Sequence, residues 1–157
     1  MRELQVVDAA ELATAYAAAD YVVVLDGDPL PLRVGQPALD LEAYAPAPRY
    51  AFITAWNPAS LPRSDTANQA ADALLVAQLD GLRATRHAAW AQDPSGDWRE
   101  PGWLVAGLDE DAVVHLALEF GQAAVLHWRA GEPVRLCMLM PHPTTGEATA
   151  HTDWVAG

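Results

Sequence analysis

The chain has 157 residues, of which 52% are hydrophobic and six are tryptophans, a composition that indicates one folded domain and argues against disorder. Nine basic residues stand against 21 acidic ones, and the net charge of −12 disfavours binding to a nucleic-acid backbone. There is one cysteine and no apolar run near the ~20 residues of a membrane-spanning helix, so we expect a soluble cytoplasmic protein without disulfides or a membrane partner.

In chain order the sequence predicts a helix, three strands, a second helix, two strands, a third helix and two final strands. The helices are predicted to follow the capping residues Asp8, Ser64 or Asp65, and Asp109. The predicted strands are Tyr21–Leu25, Leu30–Val34, Tyr50–Trp56, Arg83–Gln92, Trp103–Ala106, Gln122–Arg129 and Val134–Met140. The first two and the last two are each expected to pair as a hairpin.

These elements predict a single α+β domain over residues 1–140. We expect a largely antiparallel mixed sheet of about seven strands, with about three helices packed mainly on one face. Residues 36–48 contain three prolines and are predicted to be a surface loop. Residues 141–157 are polar and are predicted to be a flexible C-terminal tail. Cys137 lies in an apolar run, which favours a buried structural thiol over a nucleophile.

The most informative stretch for function is residues 51–58, AFITAWNP, an apolar strand that ends in polar and aromatic residues. Thr54, Trp56, Asn57 and Pro58 follow one another at a predicted chain reversal. Side chains in this position lie at the carboxyl edge of a strand, where open sheets often bind ligands. The stretch therefore predicts the place of a site and leaves its chemistry open.

Four separated motifs share this region. They are Thr54 with Asn57-Pro58, Asn68 in the following helix, Trp98 with Glu100, and Phe120-Gly121-Gln122. In this order, over about Tyr21–Trp128, they resemble the bacterial family DUF3293, a domain of unknown function. Gly102 departs from the serine expected after the Glu-Pro pair, which removes one hydroxyl from the cluster. The resemblance implies where a site lies and brings no activity with it.

The candidate ligand-binding residues are Thr54, Trp56, Asn57, Asn68, Trp98, Glu100 and Gln122. Their amides offer donors and acceptors suited to a small polar molecule or nucleotide, and their indole rings offer stacking faces. Glu100 is the one candidate catalytic residue, as a general base, but a single carboxylate makes enzyme activity less favoured than binding. We expect no metal and no other cofactor. An open alternative is that these residues only hold loops together, with Glu100 paired to Arg63 or Arg99.

Two functions from different classes follow. The first is binding of a small polar molecule or nucleotide, which predicts a concave pocket that the candidate side chains point into. The alternative is an acidic protein-interaction module, immunity- or inhibitor-like and without catalytic activity, which meets a basic protein partner. That alternative predicts a flat, carboxylate-rich face and amides that are hydrogen-bonded internally.

Overall fold

One open sheet organises the computed structural model, which describes residues 9–58, 61–143 and 150–155. Its eight strands are β1 (Asp20–Leu25), β2 (Asp28–Leu32), β3 (Arg49–Ile53), β4 (Thr85–Gln92), β5 (Arg99–Ala106), β6 (Ala124–Arg129), β7 (Arg135–Met138) and β8 (Thr152–Trp154). The helices of the described residues are α1 (Ala9–Ala18), α2 (Leu39–Tyr44), α3 (Asp65–Gly81) and α4 (Glu110–Glu119). None of these helices has the length and apolar character needed to cross a membrane.

The strands lie in the order β2-β1-β4-β5-β3-β6-β7-β8. Every neighbouring pair is antiparallel except β7 and β8, which run parallel. The predicted α+β class and the largely antiparallel mixed sheet are therefore confirmed. Both predicted hairpins form as well, β1 with β2 and β6 with β7. The first closes on Asp26 and Gly27, whose φ angles of 53° and 86° suit the tight turn that an Asp-Gly pair favours.

The helices cover both faces of the sheet, and the prediction that they pack mainly on one face is wrong. In β3, Tyr50 and Phe52 belong to a core that includes residues of α1 and α2. Ala51 and Ile53, between them, belong to a second core that includes residues of α3 and α4. A strand whose side chains are apolar in both directions needs cover on both sides. The apolar run that indicated a central strand therefore also required helices on each face.

Two segments that were predicted to be irregular contain regular structure. In the predicted loop 36–48 the prolines flank α2 instead of interrupting it, and Leu41 of this helix is fully buried. In the predicted tail 141–157, β8 pairs with β7 and Asp153 accepts two hydrogen bonds from Arg135, at 2.7 and 2.8 Å. Asp8, 144–149 and 156–157 lie outside the described residues.

Strand β5 begins at Arg99, four positions before the predicted start at Trp103. Pro101 indicated a break because it lacks an N–H group. At this position β5 pairs with β4 alone, since its pairing with β3 extends only to Trp103 opposite Ile53. The extension carries Glu100 into the sheet, beyond the carboxyl end of β3.

Two helix ends place the remaining parts of the candidate site. At the start of α3, Ser64 caps the helix by accepting a hydrogen bond from the backbone N–H of Ala67 at 3.1 Å, as predicted. This fixes Asn68 in the first turn. At the end of α4, Gly121 takes a φ of 69° and reverses the chain, so that the N–H of Gln122 donates to the Ala117 carbonyl at 2.9 Å. Gln122 then lies two positions before β6, beside the loop that follows β3.

Candidate functional site

Asn57 and Asn68 hold the loop after β3 against the first turn of α3. The backbone N–H of Asn57 donates to Asn68 Oδ1 at 2.9 Å, and Asn68 Nδ2 donates back to Asn57 Oδ1 at the same distance. Asn68 is 1% exposed. Asn57 has a φ of 45°, in the left-handed region that asparagine tolerates better than most residues. The pair closes a reciprocal ring between two segments that lie 11 positions apart.

Arg63 completes this lock. Its Nε donates to Asn68 Oδ1 at 2.7 Å, its Nη2 to the Ala55 carbonyl at 2.9 Å, and its backbone N–H to Asn57 Oδ1 at 3.1 Å. Asn68 Nδ2 also donates to the Arg63 carbonyl at 3.3 Å. Both oxygens and both amide nitrogens of the asparagine pair are therefore engaged within the protein. We call Asn57, Arg63 and Asn68 together the Asn-Arg lock.

Thr54 and Gln122 fix the same loop from its other sides. The Thr54 hydroxyl donates to the Pro101 carbonyl at 2.7 Å and accepts from the backbone N–H of Trp56 at 3.0 Å. Gln122 Nε2 donates to the Trp56 carbonyl at 3.1 Å. The four motifs named in the sequence thus converge on one edge of the sheet, and most of their hydrogen bonds stabilise the loop itself.

A narrow cleft opens beside this loop, with a volume of about 450 Å³ including the space open to solvent. We call it the strand-edge cleft. Of the candidate residues, those that line it are Thr54, Asn57, Trp98, Glu100 and Gln122. Trp56 and Asn68 do not line it. The other walls are largely aromatic and aliphatic, and include Tyr16, Tyr21, Phe52, Ala91, Leu126 and Leu136.

Glu100 is the carboxylate of the strand-edge cleft. Its Oε2 accepts a hydrogen bond from Asn57 Nδ2 at 2.8 Å. Burial raises the pKa of Glu100 above its ordinary value, and the hydrogen bond from Asn57 opposes part of that rise. The pairing with Arg63 or Arg99 that the sequence left open is not formed, because Arg63 belongs to the Asn-Arg lock and Arg99 lies over the Trp90 ring at 3.6 Å.

The raised pKa of Glu100 predicts a pH-dependent gain in stability for Glu100→Gln. The Glu100 carboxyl group stays protonated to a higher pH in the folded protein than in the unfolded chain. The free energy of unfolding therefore falls as the pH rises from the ordinary glutamate pKa through the raised pKa of the folded state. Glutamine removes this loss and keeps an oxygen that accepts from Asn57. We expect a higher Tm than wild type at neutral pH and a difference that vanishes toward about pH 4. Thermal melts across this range test it, and equal Tm values at neutral pH would contradict the buried charge.

The sequence did not point to the aromatic walls of the cleft. Tyr21 pairs with Ala91 across β1 and β4, and Ala91 pairs with Glu100 across β4 and β5, so the three share one face of the sheet. Burial, with smaller contributions from Tyr16 and Glu100, holds the pKa of Tyr21 far above its usual value, and its hydroxyl donates to the Tyr16 carbonyl at 2.7 Å. These walls follow from the strand order, which the local sequence of each strand does not reveal.

Neither the Cys137 thiol nor a metal-ligating cluster forms a second centre in the described part of the chain. Burial raises the pKa of the Cys137 thiol to about 11, with Glu110 and Asp153 adding to the effect, which fits the predicted structural thiol. Among residues 9–58, 61–143 and 150–155, no three His, Cys, Asp or Glu side chains gather closely enough to hold a metal ion. The strand-edge cleft is the place where the site predicted from the motifs and a concave surface coincide.

Comparison with known proteins agrees with the motifs. Residues 53–125 match the model of DUF3293, a family described as a protein of unknown function. No curated protein and no solved structure gives a significant match to the chain. The matched segment is shorter than the Tyr21–Trp128 span of the expected resemblance, yet it contains all four motifs. The resemblance to DUF3293 is confirmed over residues 53–125, the segment that the family model matches.

Proposed function

We propose that the chain is a small-molecule-binding domain whose ligand occupies the strand-edge cleft. The observation that carries the proposal is Glu100, a partly buried carboxylate in an otherwise aromatic and aliphatic cleft. Ligand sites are usually concave and mostly apolar, with a few polar groups that orient the ligand. The resemblance to a bacterial family and the acidic composition support a setting in the bacterial cytoplasm.

The hydrogen bonds divide the candidate residues into two roles. Thr54 and the Asn-Arg lock hold the loop that forms one wall of the cleft. Glu100, Trp98 and Gln122 contact the ligand, because each lines the cleft and keeps a polar group or ring face available to it. A rigid loop that positions a few contact groups is the arrangement that precise recognition requires.

The lining favours a ligand without phosphate groups. A phosphate needs cationic or backbone N–H partners, and no lining residue among those described is an arginine, lysine or histidine. Of the two ligand classes that the sequence suggested, a small polar molecule therefore has more support than a nucleotide. The single carboxylate supports binding more strongly than a reaction, since no second carboxylate and no histidine lines the described cleft to share proton transfer.

A thermal-shift screen of amines, amino acids, sugars, nucleosides and nucleotides tests this function. A ligand at ~100 times its Kd stabilises by about 2.7 kcal/mol, which raises the Tm of a domain of this size by about 5–10 °C. Ala124→Leu narrows the cleft from a half-buried wall position and is expected to abolish the shift. Ala70→Leu, the same change at an exposed position of α3, is expected to leave the shift intact.

Two results would contradict the proposal. One is the absence of any ligand that shifts the Tm, and the other is a shift that Ala124→Leu retains. Chemical-shift mapping on the wild-type protein gives a second reading that does not depend on how well the variant folds. A negative screen would favour the acidic protein-interaction module. That alternative predicts amides that are hydrogen-bonded within the protein, and the Asn-Arg lock contains such amides.

A further inference from the structure

Two oxygen atoms of the cleft lining keep free lone pairs. Glu100 accepts one hydrogen bond, at Oε2, and its Oε1 has no partner among the described residues. Gln122 donates through Nε2 to the Trp56 carbonyl, and its Oε1 also has no partner in the described part of the chain. By contrast, the Thr54 hydroxyl both donates and accepts, and Asn57 Oδ1 accepts two hydrogen bonds. Glu100 therefore gives the lining a charged acceptor with a free lone pair, which calls for a ligand that donates.

The charge of Glu100 is not balanced within the cleft. The ion pairs of the described residues join Arg33 to Asp20, Arg49 to Asp109, Arg86 to Asp80 and Arg135 to Asp153, and none involves Glu100. A carboxylate removed from water without a cation is unfavourable, and a cationic ligand removes that disadvantage. The whole chain adds to the attraction, because its net charge of −12 and its lack of lysine produce a negative field.

The walls of the cleft select a flat apolar body. The rings of Tyr21 and Phe52 meet edge to face, with centroids 5.4 Å apart and planes at 67°. Trp98, which is 37% exposed, adds an indole at the surface of the lining. A flat ring that packs against these walls gains favourable edge and face contacts, and a cation also gains from neighbouring aromatic faces.

We propose that the ligand of the strand-edge cleft is a small organic cation, a flat apolar body with an amine, amidinium or guanidinium group that donates to Glu100 and Gln122. The inference rests on the proposed function and narrows it to one ligand class. Glu100 then determines specificity, since its carboxylate is the charged acceptor of the lining and N–H groups of a cation donate strongly to it.

Three probes of nearly equal shape test the ligand class. Benzamidine is cationic, benzamide neutral and benzoate anionic, and each has the same flat ring. Titrations followed by amide chemical shifts are run on wild type, on Glu100→Gln, and on Glu132→Gln as an exposed glutamate control at the β6–β7 turn. We expect benzamidine to bind wild type at least about tenfold more tightly than benzamide, and benzoate not to bind. Glu100→Gln should remove this preference, and Glu132→Gln should retain it.

Equal affinity for benzamidine and benzamide, or unchanged benzamidine affinity in Glu100→Gln, would overturn the ligand class while leaving binding in the cleft intact. Perturbations that map away from Phe52, Ala91 and Gln122 would also overturn it. A screen that finds no ligand for the cleft at all would remove the proposed function, and this inference with it. Because the probes differ in charge and little in shape, the two failures are distinguishable.

Discussion

Replacing Asn68 by alanine is expected to lower the free energy of unfolding by about 3 kcal/mol, and hence the Tm by about 6–12 °C. Asn68 is 1% exposed and takes part in four hydrogen bonds, two as acceptor and two as donor. Alanine leaves the Asn57 N–H and the Arg63 Nε without their acceptor. A buried donor without a partner is more unfavourable than the net contribution of the bond it lost, and a charged donor more so. Urea unfolding measures the change.

Two further variants separate the Asn-Arg lock from a general effect on α3. Gln69→Ala removes an amide from the adjacent exposed position and is expected to change stability by less than about 0.5 kcal/mol. Asn68→Asp keeps both acceptor bonds but loses both donated bonds, to Asn57 Oδ1 and to the Arg63 carbonyl. It should fall between wild type and Asn68→Ala. If Asn68→Ala unfolds like Gln69→Ala, the asparagine pair does not hold the loop.

The sequence predicted those elements whose signals are local. The Asp-Gly turn at 26–27 and the cap at Ser64 each act within a few residues, and both form as expected. The face covered by each helix depends on where the strands lie in the sheet, and the alternation of Tyr50 and Ala51 between two cores was visible only after the strand order was known. β8 carries polar residues at the sheet edge, so its sequence lacks the apolar alternation that marks other strands.

The candidate site was predictable in position and less so in the roles of its residues. The motifs around Asn57, Glu100 and Gln122 do meet at one edge. Asparagine, however, suits a ligand contact and a loop lock equally well in sequence, since its amide donates and accepts in both. Arg63 decides between a ligand contact and a loop contact, because its Nε donates to Asn68 Oδ1. Only the folded geometry could reveal that Glu100 and Gln122, and not the two asparagines, retain a free acceptor oxygen.

Gly102→Ser, which restores the residue expected from the family resemblance, is predicted to destabilise this chain by about 3 kcal/mol. A Cβ atom at position 102 would lie 2.7 Å from Phe52 Cζ and 2.8 Å from the Ile53 carbonyl oxygen. The second contact is to backbone, so β3 and β5 must separate, and Phe52 is also held against the Tyr21 ring. Gly81→Ser is the matched control, since a Cβ there meets nothing within 4 Å, and it should leave stability nearly unchanged.

The same substitution should also disturb the strand-edge cleft, because Phe52 is one of its walls. In the Gly102→Ser protein, Phe52→Leu provides space for the new side chain and is expected to recover part of the lost stability, although Phe52→Leu alone destabilises wild type. A double-mutant cycle in urea measures this coupling. Additive losses would show that position 102 tolerates a side chain without displacing Phe52. Strong coupling would mean that Phe52 occupies the space that a side chain at position 102 needs. The serine hydroxyl expected at 102 would then be absent because Phe52 forms a wall of the cleft there.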